Sequence, residues 1–317
     1  MVSNIQKLLL ILFFLISIVS SSSSQINIRE DNNPHFIFKW ENDVLFYTDY
    51  YYSQGLSFRL SIPVLEKNPV NYILPSFKNS ENIYSLSLIQ QMYTPLEIRD
   101  SVVRIDDRPY AGLIYLRSEK KSINYTKKLI IRTSLDLGIR GPYSFASYTQ
   151  YYYHKIGDIV LPQGWQYQMS TLPIVNYNIA LMKQLYKPSE FVDLNGLIEA
   201  RMGTINVDLT MGGSVKAGIY KGSFNKKYNR YFQLSAKFSA FAKFVAYNGT
   251  MQGELKNNPN VYEIKSPDIE RIVGSYTATA EARYKNFSLD FSWIYLTPEF
   301  EMGLEHRYNS LSLCFYW

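Results

Sequence analysis

Apolar and polar residues alternate with period two along most of the chain. Phe287, Leu289, Phe291, Trp293 and Tyr295 are interleaved with Ser288, Asp290 and Ser292. The last segment sets Leu311, Leu313, Phe315 and Trp317 against Ser310, Ser312 and Cys314. Near the other end, Tyr52, Leu56, Phe58, Leu60 and Ile62 alternate with Ser53, Ser57, Arg59 and Ser61. Similar runs begin at Leu129 and Val192. Such alternation marks strands with two unlike faces. It predicts strands over 35–46, 50–63, 81–93, 109–118, 127–140, 173–184, 190–205, 207–221, 228–247, 269–284, 286–297 and 302–317. That is 12, an even number, as single-chain bacterial barrels require.

Two architectures suit such strands. In a β-sandwich the apolar face meets a core; in an outer-membrane barrel it meets lipid, and the polar face lines the interior. The barrel is favoured. The polar faces carry Arg, Asp and Glu, which a wet lumen allows. Segments of similar length recur between turn-rich spacers such as Lys67-Asn68-Pro69, Gly141-Pro142 and Asn257-Asn258-Pro259. After residue 24 no apolar stretch is long enough for a membrane helix. The chain ends on an amphipathic strand with a terminal aromatic, Trp317. The expected fold is all-β: a 12-stranded antiparallel transmembrane β-barrel, with a short helical connector at its mouth.

Composition narrows the class further. Aromatics make up 16% of the 317 residues, including 28 Tyr, and suit the aromatic girdles of such barrels. They exclude a disordered chain. A single Cys excludes a disulfide framework and a Cys-based metal cluster. The net charge of +6, without long Lys/Arg runs, gives no sign of nucleic-acid binding. At the start, Lys7 precedes an apolar stretch, Leu8 to Val19, and the small residues Ser20 to Ser24. This is the pattern of a cleaved secretory signal, and the stretch falls short of the roughly 20 residues of a membrane anchor. Residues 1–24 are therefore expected to be a signal peptide and 25–317 one barrel domain.

The segment from Ser144 to Gln168 breaks the strand pattern and is long for a connector. Ser144 could start a helix and Gly157 end it, which places Gln150 and His154 on one face. Asp158 would continue that face. Of the three histidines, His154 stands among other candidate groups, whereas His35 and His306 read as packing residues.

Three stretches resemble a known family. They are Glu41-Asn42-Asp43 with Thr48-Asp49-Tyr50-Tyr51-Tyr52-Ser53-Gln54-Gly55-Leu56; Asp106-Asp107-Arg108-Pro109-Tyr110-Ala111-Gly112; and Gln150-x-x-x-His154-x-x-Gly157 with Pro162-x-Gly164-Trp165-x-x-Gln168. Together they resemble the outer-membrane lipid A 3′-O-deacylases. The resemblance implies a 12-stranded barrel in the outer membrane of a Gram-negative-type envelope, acting as a monomer. It also implies an active site between barrel wall and lumen, near the outer leaflet. The implied reaction is calcium-dependent hydrolysis of the ester holding the 3′-linked acyloxyacyl group of lipid A, with lipopolysaccharide as partner.

By position, Asn42 and Asp43 match the family's Asn-Asp pair, and Ser53 its Thr. His154 matches the catalytic histidine, and Gln150 the Gln four residues before it. Two departures stand out. The family's acidic residue after the Gly of the His motif has no match at the same spacing, and Asp158 is nearest. Thr171-Leu172-Pro173 stands where some members carry Asn-Glu-Pro.

The residue chemistry bears on the same groups. Ester hydrolysis needs a base and a group that holds the oxyanion, and His154 suits the first role. Asn42, Asp43 and Asp158 offer hard oxygens that suit Ca²⁺ rather than zinc. Ser53 could orient water, bind the metal or be a nucleophile, and strict alternation groups it with Ser57, Arg59 and Ser61 on the non-lipid face. Arg108 could bind a substrate phosphate or carboxylate as a planar fork, or pair with Asp106 or Asp107. Three functions follow: a calcium-dependent lipid A deacylase; a Ser53–His154 phospholipase of the outer membrane; or a silent barrel or pore, with an open lumen and scattered motif residues.

Overall fold

The computed structural model describes residues 34–46, 48–225, 231–253 and 263–317. The expected signal peptide lies outside these residues. Twelve strands form among them: β1 (His35–Asn42), β2 (Tyr51–Ser61), β3 (Glu81–Thr94), β4 (Ala111–Asn124), β5 (Leu129–Arg140), β6 (Leu172–Ser189), β7 (Val192–Gly203), β8 (Asn206–Ile219), β9 (Phe232–Asn248), β10 (Ile272–Tyr284), β11 (Phe287–Leu296) and β12 (His306–Tyr316). Each pairs antiparallel with its sequence neighbours, and β1 closes on β12. The barrel has no free edge, as lipid demands of a spanning sheet.

Several boundaries differ from the sequence pattern, and two of them have local reasons. β1 stops at Asn42 because its Oδ1 accepts the Val44 N–H at 2.8 Å and turns the chain into a short 3₁₀ segment, Val44–Phe46. β4 runs to Asn124, past the expected end at 118. Its polar run breaks the visible alternation, yet Glu119 pairs with Arg59 in the lumen at 3.5 Å, and Lys120 is covered on the other face.

The register fixes which face each residue takes. Phe58, Leu88, Leu116, Leu137 and Val175 lie opposite one another across five strands, and all are exposed. They belong to the lipid-facing belt. Nearer the chain ends, Phe36, Phe315, Phe287, Tyr284 and Phe232 form a second row of outward aromatics. The opposite face carries charge, and the charges pair. Arg117 donates to both oxygens of Asp136 at 2.7 and 2.8 Å, and Arg201 to Asp208 at 2.9 and 2.5 Å.

Connectors at the end away from the chain termini are mostly long, including 95–110, 141–171 and 249–271. Those at the terminal end are mostly short, such as 125–128, 190–191 and 285–286. Long loops mark the external side of such barrels and short turns the periplasmic side. One exception, the 62–80 connector, folds back along the outer wall. At the external mouth the lumen is tied across rather than open. Arg108, fully buried, bonds Glu299 and Thr250 at 2.6 Å each, and stacks on the Tyr93 ring at 4.3 Å. Below it lies a polar cavity of about 210 Å³.

The belt predicts its own test. Leu88→Lys is expected to cost about 2–4 kcal/mol if its row lies at mid-membrane, measured by urea titration of folding into vesicles.

Candidate active site on the outer wall

The site begins with an irregularity in β2. The ladder shifts between Tyr52 and Gln54, so Ser53 is an extra, unpaired residue. This overturns the strict alternation that placed Ser53 on the inner face. Its Oγ lies 2.5 Å from Thr94 Oγ1, at the external end of β3. Thr94 shares the outward parity of Leu88, and Asn42 that of Phe36. The polar cluster is therefore on the lipid side of the wall, not between wall and lumen as the resemblance implied.

What makes this tolerable is a lid. Helix α1 (Ala146–Gly157) lies against the outer face of β3 and β4. Gly112 lets it approach, since a Cβ there would meet Ser144 Oγ at 2.2 Å and Ala146 Cβ at 2.5 Å. Met92, Tyr110, Ala146 and Trp165 pack into one buried cluster beneath it. Gln90 Nε2 donates to Ser144 O at 2.7 Å and pins the helix start. Ala146, Gln150 and His154, spaced by four, form the buried stripe of α1. Phe145, Tyr148, Tyr152 and Ile156 stand on the other side and are exposed.

Under the helix the sequence-predicted groups converge. His154 Nε2 lies 3.1 Å from Asp49 Oδ2. Its Nδ1 is bonded to the Val160 carbonyl at 2.5 Å. Gln150 Nε2 donates to Asp49 Oδ1 at 3.3 Å, and Gln150 Oε1 accepts from Trp165 Nε1 at 2.6 Å. Asn42 Nδ2 donates to Ser53 O at 2.9 Å. Asp43 Oδ2 accepts from Thr48 Oγ1 at 3.0 Å and from the Tyr50 N–H at 3.2 Å. Asn42, Asp43, Ser53, Gln150 and His154 are all buried.

Two carboxyl groups share this buried corner. Burial, followed by the charge of Asp49, pushes the Asp43 carboxyl up to about 8. Asp49 Oδ2 is buried and faces His154 Nε2, which donates to it when the ring is protonated. Two neighbouring carboxyl groups are a donor set that suits a hard cation such as Ca²⁺. Among the described residues no three His, Cys, Asp or Glu side chains converge as a metal cluster, so the remaining ligands would be neutral oxygens. For His154, burial disfavours the imidazolium, but the Asp49 carboxylate and the Val160 carbonyl outweigh it, and the pKa is raised.

Two candidates fall outside the cluster. Asp158 is the exposed C-cap of α1, with φ 54°, where the left-handed turn carries it away from the buried stripe. Arg108 spends its guanidinium inside the mouth on Glu299 and Thr250, so it does not face a substrate at the site. Two residues were missed. Asp49 stood in the Thr48-Asp49-Tyr50 stretch, close enough to Asp43 in sequence to suggest a shared site. Thr94 carried no sequence signal, because only the bulge brings it to Ser53. The Ser53–His154 pair required by a serine nucleophile does not form: Ser53 Oγ meets Thr94, and the ring nitrogens meet Asp49 and Val160.

A family profile described as outer membrane protein LpxR matches residues 8–317. The chain belongs to the LpxR family. LpxR from Salmonella typhimurium shares its fold, with a TM-score of 0.73 at 17% identity, covering 89% of this chain and 100% of that one. The NanC porin gives a TM-score of 0.40 at 7% identity, over 90% of this chain and 100% of that one. A search of curated proteins returned no match. As an LpxR-family barrel the chain is an outer membrane protein, in keeping with its apolar belt.

The close approach at Gly112 is the weak point of the lid. Gly112→Val is expected to lift α1 while leaving the barrel closed. Hydrogen exchange would show faster exchange of the 146–157 amides and unchanged protection in β3 and β4.

Proposed function

We propose that this LpxR-family barrel is a lipid A deacylase that hydrolyses the ester of the 3′-linked acyloxyacyl group. The observation that carries this is the placement of a buried His–Asp contact, with a second carboxylate beside it, on the lipid-facing side of the wall. A polar acid–base cluster has no structural use there, and its substrate must come from the leaflet. The exposed stripe Phe145, Tyr148, Tyr152 and Ile156 of α1 offers the same leaflet an apolar surface.

His154 is the base in this reading. With Nδ1–H donated to Val160 O, Nε2 carries the lone pair. Water adds to the ester carbonyl as Nε2 takes its proton; the tetrahedral centre then expels the sugar 3′-oxygen, which receives that proton. The products are the free acyl acid and a 3′-hydroxyl. The Val160 carbonyl orients the neutral ring, and Asp49 favours its charged form once Nε2 has taken the proton. Gln150, held by Trp165, keeps Asp49 in place. Asp43, Asp49 and Asn42 are the residues that would hold Ca²⁺, which supplies a Lewis acid for the carbonyl oxygen.

Three measurements bear on this. His154→Ala should lower deacylation by about 10²–10⁴-fold in mass spectra of lipid A, while heat-modifiable migration shows a folded barrel. Near-normal activity in that variant would remove His154 as the base. The pH profile should rise with pH, because Nε2 must be unprotonated. Its midpoint should lie above the ordinary 6.5, because Asp49 raises the ring's pKa, and Asp49→Asn should move it down. EGTA should abolish activity and Ca²⁺ restore it; full activity in chelator would favour a metal-free hydrolase.

A further inference from the structure

The 62–80 connector is anomalous at an end otherwise built mostly of short turns. It holds two 3₁₀ segments, Pro63–Lys67 and Pro69–Ile73, and lies on the outside of the barrel. The wall beneath it is polar where lipid would otherwise touch. Ser118, Lys120 and Ser122 share the outward parity of Leu116, and Thr133 that of Leu137, yet all four are buried. The connector accounts for them: Ser118 Oγ accepts from Asn68 Nδ2 and Ser122 Oγ from the Phe77 N–H, both at 3.3 Å. Lys120 Nζ donates to Asn71 O at 3.0 Å and Leu74 O at 2.7 Å, and Thr133 Oγ1 to Pro75 O at 3.3 Å.

Its depth can be read from β6. Tyr177 OH donates to Ile73 O at 2.9 Å. Further along β6 toward the terminal end, Ile179 and Leu181 point outward and are exposed, 36% and 38%. Thr133 and Ser122, on which the strap docks, stand in register with these two residues, so the strap lies at the level of the apolar belt. Val64, Tyr72 and Ile73 project from the strap, Tyr72 with 94% of its surface free. The strap's backbone suits a dry setting. Pro63, Pro69 and Pro75 bring no N–H, and turn bonds and the Asn71 side chain occupy others of its polar groups.

We infer that the 62–80 strap is an interfacial membrane anchor of the periplasmic leaflet, which presses Val64, Tyr72 and Ile73 into phospholipid acyl chains while its exposed Glu66, Lys67 and Lys78 reach the headgroups, with Lys120 as its staple. It is continuous with the lipid-facing belt and independent of the hydrolase reading. The test uses the full chain with Cys314→Ser, reconstituted in phosphatidylcholine and phosphatidylglycerol vesicles. Bimane is attached at Tyr72→Cys, at Val64→Cys or, as an aqueous control, at Glu190→Cys in a short turn of the same end. Heat-modifiable migration confirms folding of each. Acyl-chain spin-labelled phosphatidylcholine should quench the Tyr72 and Val64 probes several-fold more than the Glu190 probe, and iodide should do the reverse. Equal iodide quenching at all three sites would place the strap in water and overturn the inference. Probes at 64 and 72 shielded from both quenchers would overturn it too, by showing that a second copy covers the strap.

Discussion

Closure of the backbone ladder in lipid governs everything else here. A strand in the hydrocarbon layer cannot leave an N–H or C=O unpaired, so β1 must meet β12. Once the ring is closed, the register of each pair is fixed, and with it the face on which every side chain stands. One face carries Phe58, Leu88, Leu116 and Leu137; the other carries Arg117, Asp136, Arg201 and Asp208. Charges in the lumen are tolerable because they pair with one another in a polar cavity.

Against that rule, the polar groups on the outer wall need explanation. At the external end, Asn42, Ser53 and Thr94 sit among lipid-facing positions, and α1 covers them. At the other end, Ser118, Lys120, Ser122 and Thr133 do the same, and the 62–80 strap covers them. The two covers differ in what they enclose. Under the strap, Lys120 finds carbonyls. Under the helix, Asp49 Oδ2 meets the titratable His154 ring, and burial with the Asp49 charge holds the Asp43 carboxyl up at about 8. Titratable groups with shifted pKa values, packed together in a dry place, set the first patch apart from one that only holds the chain together.

The mouth adds a third element. Arg108 spans from the β3–β4 connector to Thr250 and Glu299 and is fully buried in doing so. Removing Glu299 would leave the buried Arg108 charge uncompensated, which is costly. This lattice stiffens the loops around the mouth. The buried polar cluster thus stands on the flank of a barrel whose mouth is tied across.

Much of this was written in the chain. Period-two alternation gave all twelve strands, because a wall between lipid and water requires unlike faces on each strand. Spacing by four put Gln150 and His154 on one helical face for an equally local reason. Asn42 and Asp43 were legible as oxygen donors from their type alone. What the sequence could not carry was anything set by register between distant strands. The bulge that turns Ser53 toward Thr94, the pairing of Asp49 with His154 across some hundred residues, and the side of the wall on which the cluster stands are all of this kind. So is the fate of Arg108, whose partner Glu299 lies near the other end of the chain. A strand's pattern says that it has two faces; only closure of the ring decides which faces meet, and which helix or strap then covers them.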